Sequence, residues 1–86
     1  MTDDVKNERD LELLAIQAIM STKDGRHFIH RVLERAGIDV TSYDDNPQRH
    51  ARNSGQRELG LWVLDEVRDA AFGSYIKMLE EHNNDR

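Results

Sequence analysis

The chain has 86 residues, of which 37% are hydrophobic and 34% charged, with a formal net charge of −5 and no cysteine. A chain of that length makes one domain, burying roughly 60–65% of the surface its unfolded form exposes. A catalytic cleft of about 300 Å³ or more would consume much of such a core. Disulfides, zinc–thiolate sites and thiol catalysis are excluded, and no stretch approaches the roughly 18 apolar residues a membrane span needs.

Residues 1–9 are polar and are expected to be frayed. The first ten, MTDDVKNERD, are acidic with no apolar run, unlike a signal peptide, so a cytosolic product or one assembled in the cytosol is expected. From Asp10, residues Leu11, Leu14, Ala15, Ala18 and Ile19 mark one helical stripe, and Leu13, Ile16 and Met20 a neighbouring one. So broad an apolar surface predicts a helix that is central or covered by a partner chain. Ser21-Thr22 supplies a break and an N-cap, with Lys23-Asp24-Gly25 as the next first turn. Phe28, Ile29, Val32, Leu33 and Ala36 then form an amphipathic stripe, and Gly37 ends the helix in a left-handed conformation.

Residues 38–46, IDVTSYDDN, read as a linker. Pro47 fits the first position of a short helix capped by Asp45 or Asn46. Ser54 is placed to cap a third long helix, in which Leu59, Trp62, Val63, Val67 and Ala70 recur at helical spacing. Phe72-Gly73-Ser74 interrupts it, and a short fourth helix carries Tyr75, Ile76 and Leu79 ahead of a polar tail, 83–86. The prediction is an all-α, small compact domain over 10–82, with three main helices plus a short fourth. Its core is expected to comprise Leu14, Ala18, Phe28, Ile29, Val32, Leu33, Leu59, Trp62, Val63, Val67, Ile76 and Leu79.

Charge is unevenly placed. Residues 1–22 sum to −3, residues 23–57 to +2, and residues 58–86 to −4, so a mildly basic island lies between acidic flanks. His27 and His30 are three apart and share a helix face, but HFIH is not HExxH and local spacing implies no third ligand, so surface or capping roles are expected. Asp65 and Asp69 are neighbours one turn apart with Arg68 beside them, the pattern of a salted outer face; Glu80-Glu81 point in different directions and Asp44-Asp45 lie in the linker. Ser21, Ser42, Ser54 and Ser74 sit at helix boundaries, where capping explains them. Neither a GxGxxG fingerprint nor a P-loop occurs, and no cofactor or metal is called for.

Two Gly-Arg elements, Gly25-Arg26 and Gly55-Gln56-Arg57, each open an apolar helical stretch. Glycine costs about 1 kcal/mol against alanine inside a helix, so close backbone approach is the implied gain. Arg26 and Arg57 can each hold a carboxylate or a carbonyl-rich helix end through paired N–H donors. Two readings stand at this point: ties within the chain, to the linker around Tyr43 and Asp44, or contacts with a partner. The third helix is apolar at 59, 61, 62, 63, 64 and 67, which is more than one face and argues for a binding partner or self-association.

The order GR-HFI-x2-VLE-x2-GI, SYDDNP, SGQRELGLWVL and SYIKMLEE resembles a family of small tailed-bacteriophage structural-domain proteins, typified by a Bordetella phage protein encoded among virion genes. The resemblance covers about residues 14–81. It rests on Gly25-Arg26, Tyr43 with Asn46-Pro47, Gly55 with Arg57, and Tyr75, Met78 and Glu81. Gly73 stands where family members often carry proline, and His50-Ala51-Arg52 lacks the aromatic often found there. What the resemblance implies is a non-enzymatic virion or morphogenesis component, located in the virion or the infected host's cytoplasm.

The resulting expectation is a module, not an enzyme, that binds larger virion proteins or itself through an apolar helix face. Arg26 and Arg57, with Tyr43 and Tyr75, are the expected partner-binding residues. An alternative is nucleic-acid contact by the basic segment 23–57, through Arg26, Arg31, Arg35, Arg49, Arg52 and Arg57, although acidic proteins seldom bind phosphate backbones. A further alternative is an inhibitor or adaptor of a host enzyme whose acidic flanks mimic nucleic acid.

Overall fold

Four helices follow one another in a computed structural model that describes residues 2–38 and 46–83, with side chains from Asn7 onward. They are α1 (Thr2–Met20), α2 (Lys23–Ala36), α3 (Pro47–Ala70) and α4 (Phe72–Asn83). No strand occurs among the described residues, so the all-α class and the four helices are as the sequence predicts. The linker expected over 38–46 lies, beyond Ile38 and before Asn46, outside the described residues, as does the tail beyond Asn83.

Local chemistry sets most of the boundaries. Thr22 has extended backbone, and its hydroxyl accepts from the Gly25 N–H at 3.0 Å, which caps α2. Gly37, at φ 72° and ψ 35°, ends α2 in the left-handed conformation that glycine adopts without a Cβ clash. The Asn46 side chain accepts from the N–H groups of Gln48 (2.9 Å) and Arg49 (3.1 Å), and Pro47 takes the first helical position.

Three boundaries differ from the sequence reading. α1 begins at Thr2, not Asp10, so residues read as frayed continue the helix. α3 runs unbroken for 24 residues, so the short helix from Pro47 and the separate start at Ser54 are one element. Ser54 costs little inside a helix and has no open N-terminus to cap. The break before α4 sits at Ala71, whose N–H still bonds to the Val67 carbonyl at 2.8 Å while its backbone turns to φ −152° and ψ 62°. Gly73 falls in the first turn of α4 instead.

The core is small, and among the described residues each helix contributes one buried apolar side chain to it: Met20, Leu33, Val67 and Met78. Ile16, Ile29, Ile38, Val63, Leu64, Ala71 and Tyr75 pack around them. Of the expected core, Leu33 and Val67 are buried and Ile29 and Val63 pack against them. Val32 is half-buried, whereas Leu14, Ala18, Phe28, Leu59, Trp62, Ile76 and Leu79 are exposed. The correction has a geometric cause. The radius of gyration is 15.3 Å with extents of 47 × 39 × 15 Å, against about 12 Å for a closed globule of this length. The packing expected to be compact opens into a thin layer, and the apolar faces that a closed bundle would bury stay on its surface.

Close approach supplies the rest of the packing. A Cβ built on Gly60 would run into the Cβ of Ala36 and Cγ2 of Ile38, so α3 lies against the end of α2 at a glycine. Gly25 likewise lies on the Ile19 carbonyl oxygen at the α1–α2 corner. Among the described residues nothing lies within 4 Å of a Cβ built on Gly55, and the close contact expected there is found at Gly60 instead.

Candidate functional site

Arg26 is drawn inward. It is only 5% exposed, and its Nε and Nη2 donate to the two carboxylate oxygens of Glu81 at 2.9 and 2.8 Å. Nη1 donates to the Met20 carbonyl at 3.0 Å, in the last turn of α1, where carbonyls lack helical partners. One guanidinium therefore joins α1, α2 and α4. The paired N–H donors of Arg26 hold the Glu81 carboxyl below its ordinary value, against the opposing effect of burial. Among the described residues, all three of these hydrogen bonds lie within the chain.

A second arginine does the equivalent work at the other edge. Arg9 of α1 donates to both carboxylate oxygens of Glu66 at 2.8 Å and to Asp69 at 3.1 Å, with Glu12 at 3.4 Å. This pair depresses the Glu66 carboxyl through its hydrogen bonds with Arg9. Gln17 Nε2 donates to the Ala70 carbonyl at 2.9 Å and closes the end of α3.

The other expected residues are scattered. Arg57 is half-buried and reaches the Ile38 carbonyl at 3.5 Å, a tie between α3 and the end of α2. Tyr75 packs against the core beside Phe72, with the Arg68 guanidinium 6.0 Å from its ring. Tyr43 lies outside the described residues. Arg31 and Arg35 are exposed on α2, and Arg49 and Arg52 are exposed near the start of α3. With Arg26 committed to Glu81 and Arg57 turned toward Ile38, the six arginines of the basic segment are not presented as one surface.

Histidines gather where α2 meets α4. The ring of His82 stacks on His30 with centroids 3.6 Å apart, and its Nε2 lies 3.3 Å from His27 Nδ1. His82 Nδ1 donates to the Met78 carbonyl at 2.8 Å. Among the described residues, no group of three or more His, Cys, Asp or Glu is arranged to hold a metal ion. Asp69 faces Arg9, and Asp65 is exposed.

What the layer exposes is an apolar groove between α2 and α3, with a volume of about 540 Å³. Phe28, Val32, Ala36, Leu59, Trp62 and Val63 line it, with Arg31 and Arg35 at its rim. Phe28, Leu59 and Trp62 are 61%, 63% and 59% exposed, an arrangement soluble monomers rarely tolerate in one patch. Leu11, Leu14 and Ile19 on α1 and Phe72, Ile76 and Leu79 on α4 are exposed as well. Among the described residues the charged lining of the groove is Arg31 and Arg35. An apolar trough with a basic rim is suited to receiving an amphipathic helix.

Sequence reasoning missed several features, the Arg9–Glu66 pair among them. An isolated glycine in the apolar run 59–64 was a usable signal for Gly60. Met20 and Met78 carried a weaker one, since flexible thioethers fill irregular gaps. Nothing local announces the Arg26–Glu81 pair or the arrival of His82, because partners 55 residues apart leave no periodic mark.

In comparison with known proteins, a family model described as Bbp19-like phage protein fits residues 16–80. No curated protein and no solved structure matches the chain.

Proposed function

The chain belongs to the Bbp19-like phage protein family, and on that premise we propose that it is a non-enzymatic virion or morphogenesis module. It works by lending exposed apolar helix faces, with arginines at their margins, to other proteins of the particle. The observation that carries this reading is the inversion of the core. Each helix buries one apolar side chain, yet Leu11, Leu14, Ile19, Phe28, Leu59, Trp62, Phe72, Ile76 and Leu79 remain exposed. The accessible surface is 6674 Å², against about 5,200 Å² for a monomer of this mass. The excess is comparable to the total area of a standard protein–protein interface, about 1,600 Å². Among the described residues no helix is long and apolar enough to cross a membrane.

Arg26 serves this role indirectly by joining α1, α2 and α4, and Arg57 by tying α3 to the end of α2, while Arg31 and Arg35 supply the charged margin. The test is incorporation. Particles purified from infected cells are assayed by mass spectrometry for the protein, and tagged protein is used to retain virion proteins from dissociated particles. The expected result is a fixed copy number per particle and retention of a virion protein that Phe72→Glu, on the exposed face of α4, abolishes. Absence from purified particles, together with no retained virion protein, overturns the reading.

A further inference from the structure

α1 carries two apolar faces and spends only one of them inside its own molecule. Met20 is buried, Ile16 packs on the core and Leu13 is half-buried, so these define the inward face. Successive helical residues turn by about 100°, which places Leu11, Leu14, Ala15 and Ala18 about 180° away from that face. All four are exposed, at the i, i+3, i+4, i+7 spacing of a stripe made to be covered. Glu8 and Glu12, one turn apart and exposed, border one edge of the stripe, and Glu12 lies 3.4 Å from Arg9 on the same helix.

The α2–α3 groove is the complement of that stripe in shape and sign. Its lining is apolar, and its rim carries Arg31 and Arg35, also one turn apart and exposed. On α2 the groove extends from Phe28 to Ala36, about 12 Å, and the stripe from Leu11 to Ala18 is about 10.5 Å long. The stripe points away from the helices that hold α1, so it cannot reach the groove of its own chain.

We propose that the groove of one copy receives the outward face of α1 from a second copy, with Glu8 and Glu12 of the incoming helix set against Arg31 and Arg35. The inference rests on the reading of the exposed faces as assembly surfaces and names the occupant of one of them. Stripe and groove are different patches, so the contact is head-to-tail and either repeats around a ring or along a filament, or is exchanged reciprocally within a pair. Phe72, Ile76 and Leu79 of α4 take no part in it and remain for a larger virion protein.

Two single-sided variants test this by sedimentation velocity from micromolar to high micromolar concentration. Leu14→Glu spoils the stripe and keeps the groove; Trp62→Glu spoils the groove and keeps the stripe. Both positions are exposed, so helicity should match that of the parent chain, as should the unfolding midpoint at concentrations where the parent is monomeric, and Leu11→Glu with Phe28→Glu form a second pair should either fail to fold. The parent chain is expected to self-associate, and each variant alone to lose about tenfold or more in association. An equimolar mixture of the two should restore a species of about twice the monomer mass and nothing larger, through the one intact stripe and the one intact groove. A parent chain that stays monomeric overturns the proposal, as does association indifferent to Leu14→Glu or a mixture that stays monomeric. A monomeric parent chain still found in purified particles would sink the self-docking alone, whereas head-to-tail association by a protein missing from particles would sink the virion role alone.

Discussion

Leu33→Ala and Leu59→Ala make the same chemical change at two positions that the sequence places together in the core. Leu33 is 4% exposed and lies in the enclosed cluster, whereas Leu59 is 63% exposed on the groove. Truncating an enclosed leucine removes about three methyl or methylene groups and leaves a cavity, at a cost of about 3–5 kcal/mol. At Leu59 only about a third of the side chain is withdrawn from water. With about 0.8 kcal/mol per buried carbon, its truncation removes about 0.9 kcal/mol and opens no cavity, and the helix propensity of alanine offsets part of that. The expected costs are therefore about 3–5 kcal/mol for Leu33→Ala and below about 1 kcal/mol for Leu59→Ala. Urea unfolding followed by far-UV circular dichroism reads both, at low protein concentration to suppress association. A chain of this length has about 4–13 kcal/mol of stability in total, so Leu33→Ala should shift the midpoint severely or leave no folded baseline. Equal costs at the two positions would refute the open layer and restore the compact domain of the sequence reading.

Glycine positions give a second contrast: Gly55→Ala meets open space and should stabilise by about 0.5–1 kcal/mol. Gly60→Ala forces a methyl onto Ala36 and Ile38 and should cost about 1–3 kcal/mol by the same urea titration. Thr22→Ala removes the cap on the Gly25 N–H and should cost about 1 kcal/mol, with thermal unfolding as the readout. The carboxyls of Glu66 and Glu81 are held below their ordinary 4.5 by Arg9 and Arg26. The unfolded chain therefore binds more protons in acid than the folded one, and this stabilisation is present above about pH 4.5 and lost as the pH falls below it. Glu81→Gln should flatten that acid decline; an unchanged pH profile would mean that the Arg26 clamp does not form in solution.

Local chemistry specifies a good deal of this fold. Thr22, Gly37 and the Asn46-Pro47 pair act through their own backbone and nearest N–H groups, so they mark the ends of α2 and the start of α3 from sequence alone. Periodicity identifies the helices for the same reason, since spacing along a chain is a local property. The ordered motifs from Gly25 to Glu81 likewise suffice for the phage family. Local reading fails where a residue offers a cap that the chain does not use: Ser54 sits inside α3, and the break before α4 is at Ala71 instead of the Phe72-Gly73-Ser74 stretch.

Which apolar face turns inward is a different kind of question. α1 and α3 each carry more than one such face, and periodicity assigns them equal claims. Only the packing of helices far apart in sequence selects Met20 over Leu14 and Val67 over Trp62. Arg26 shows the same limit in polar form: its place at a helix start is readable, but its partner Glu81 lies 55 residues away. The sequence by itself determined the all-α class, the ends of α2, the start of α3 and the family. The tertiary structure alone decided that the layer stays open and that an apolar groove with an arginine rim is its surface, because burial is a property of which helices meet.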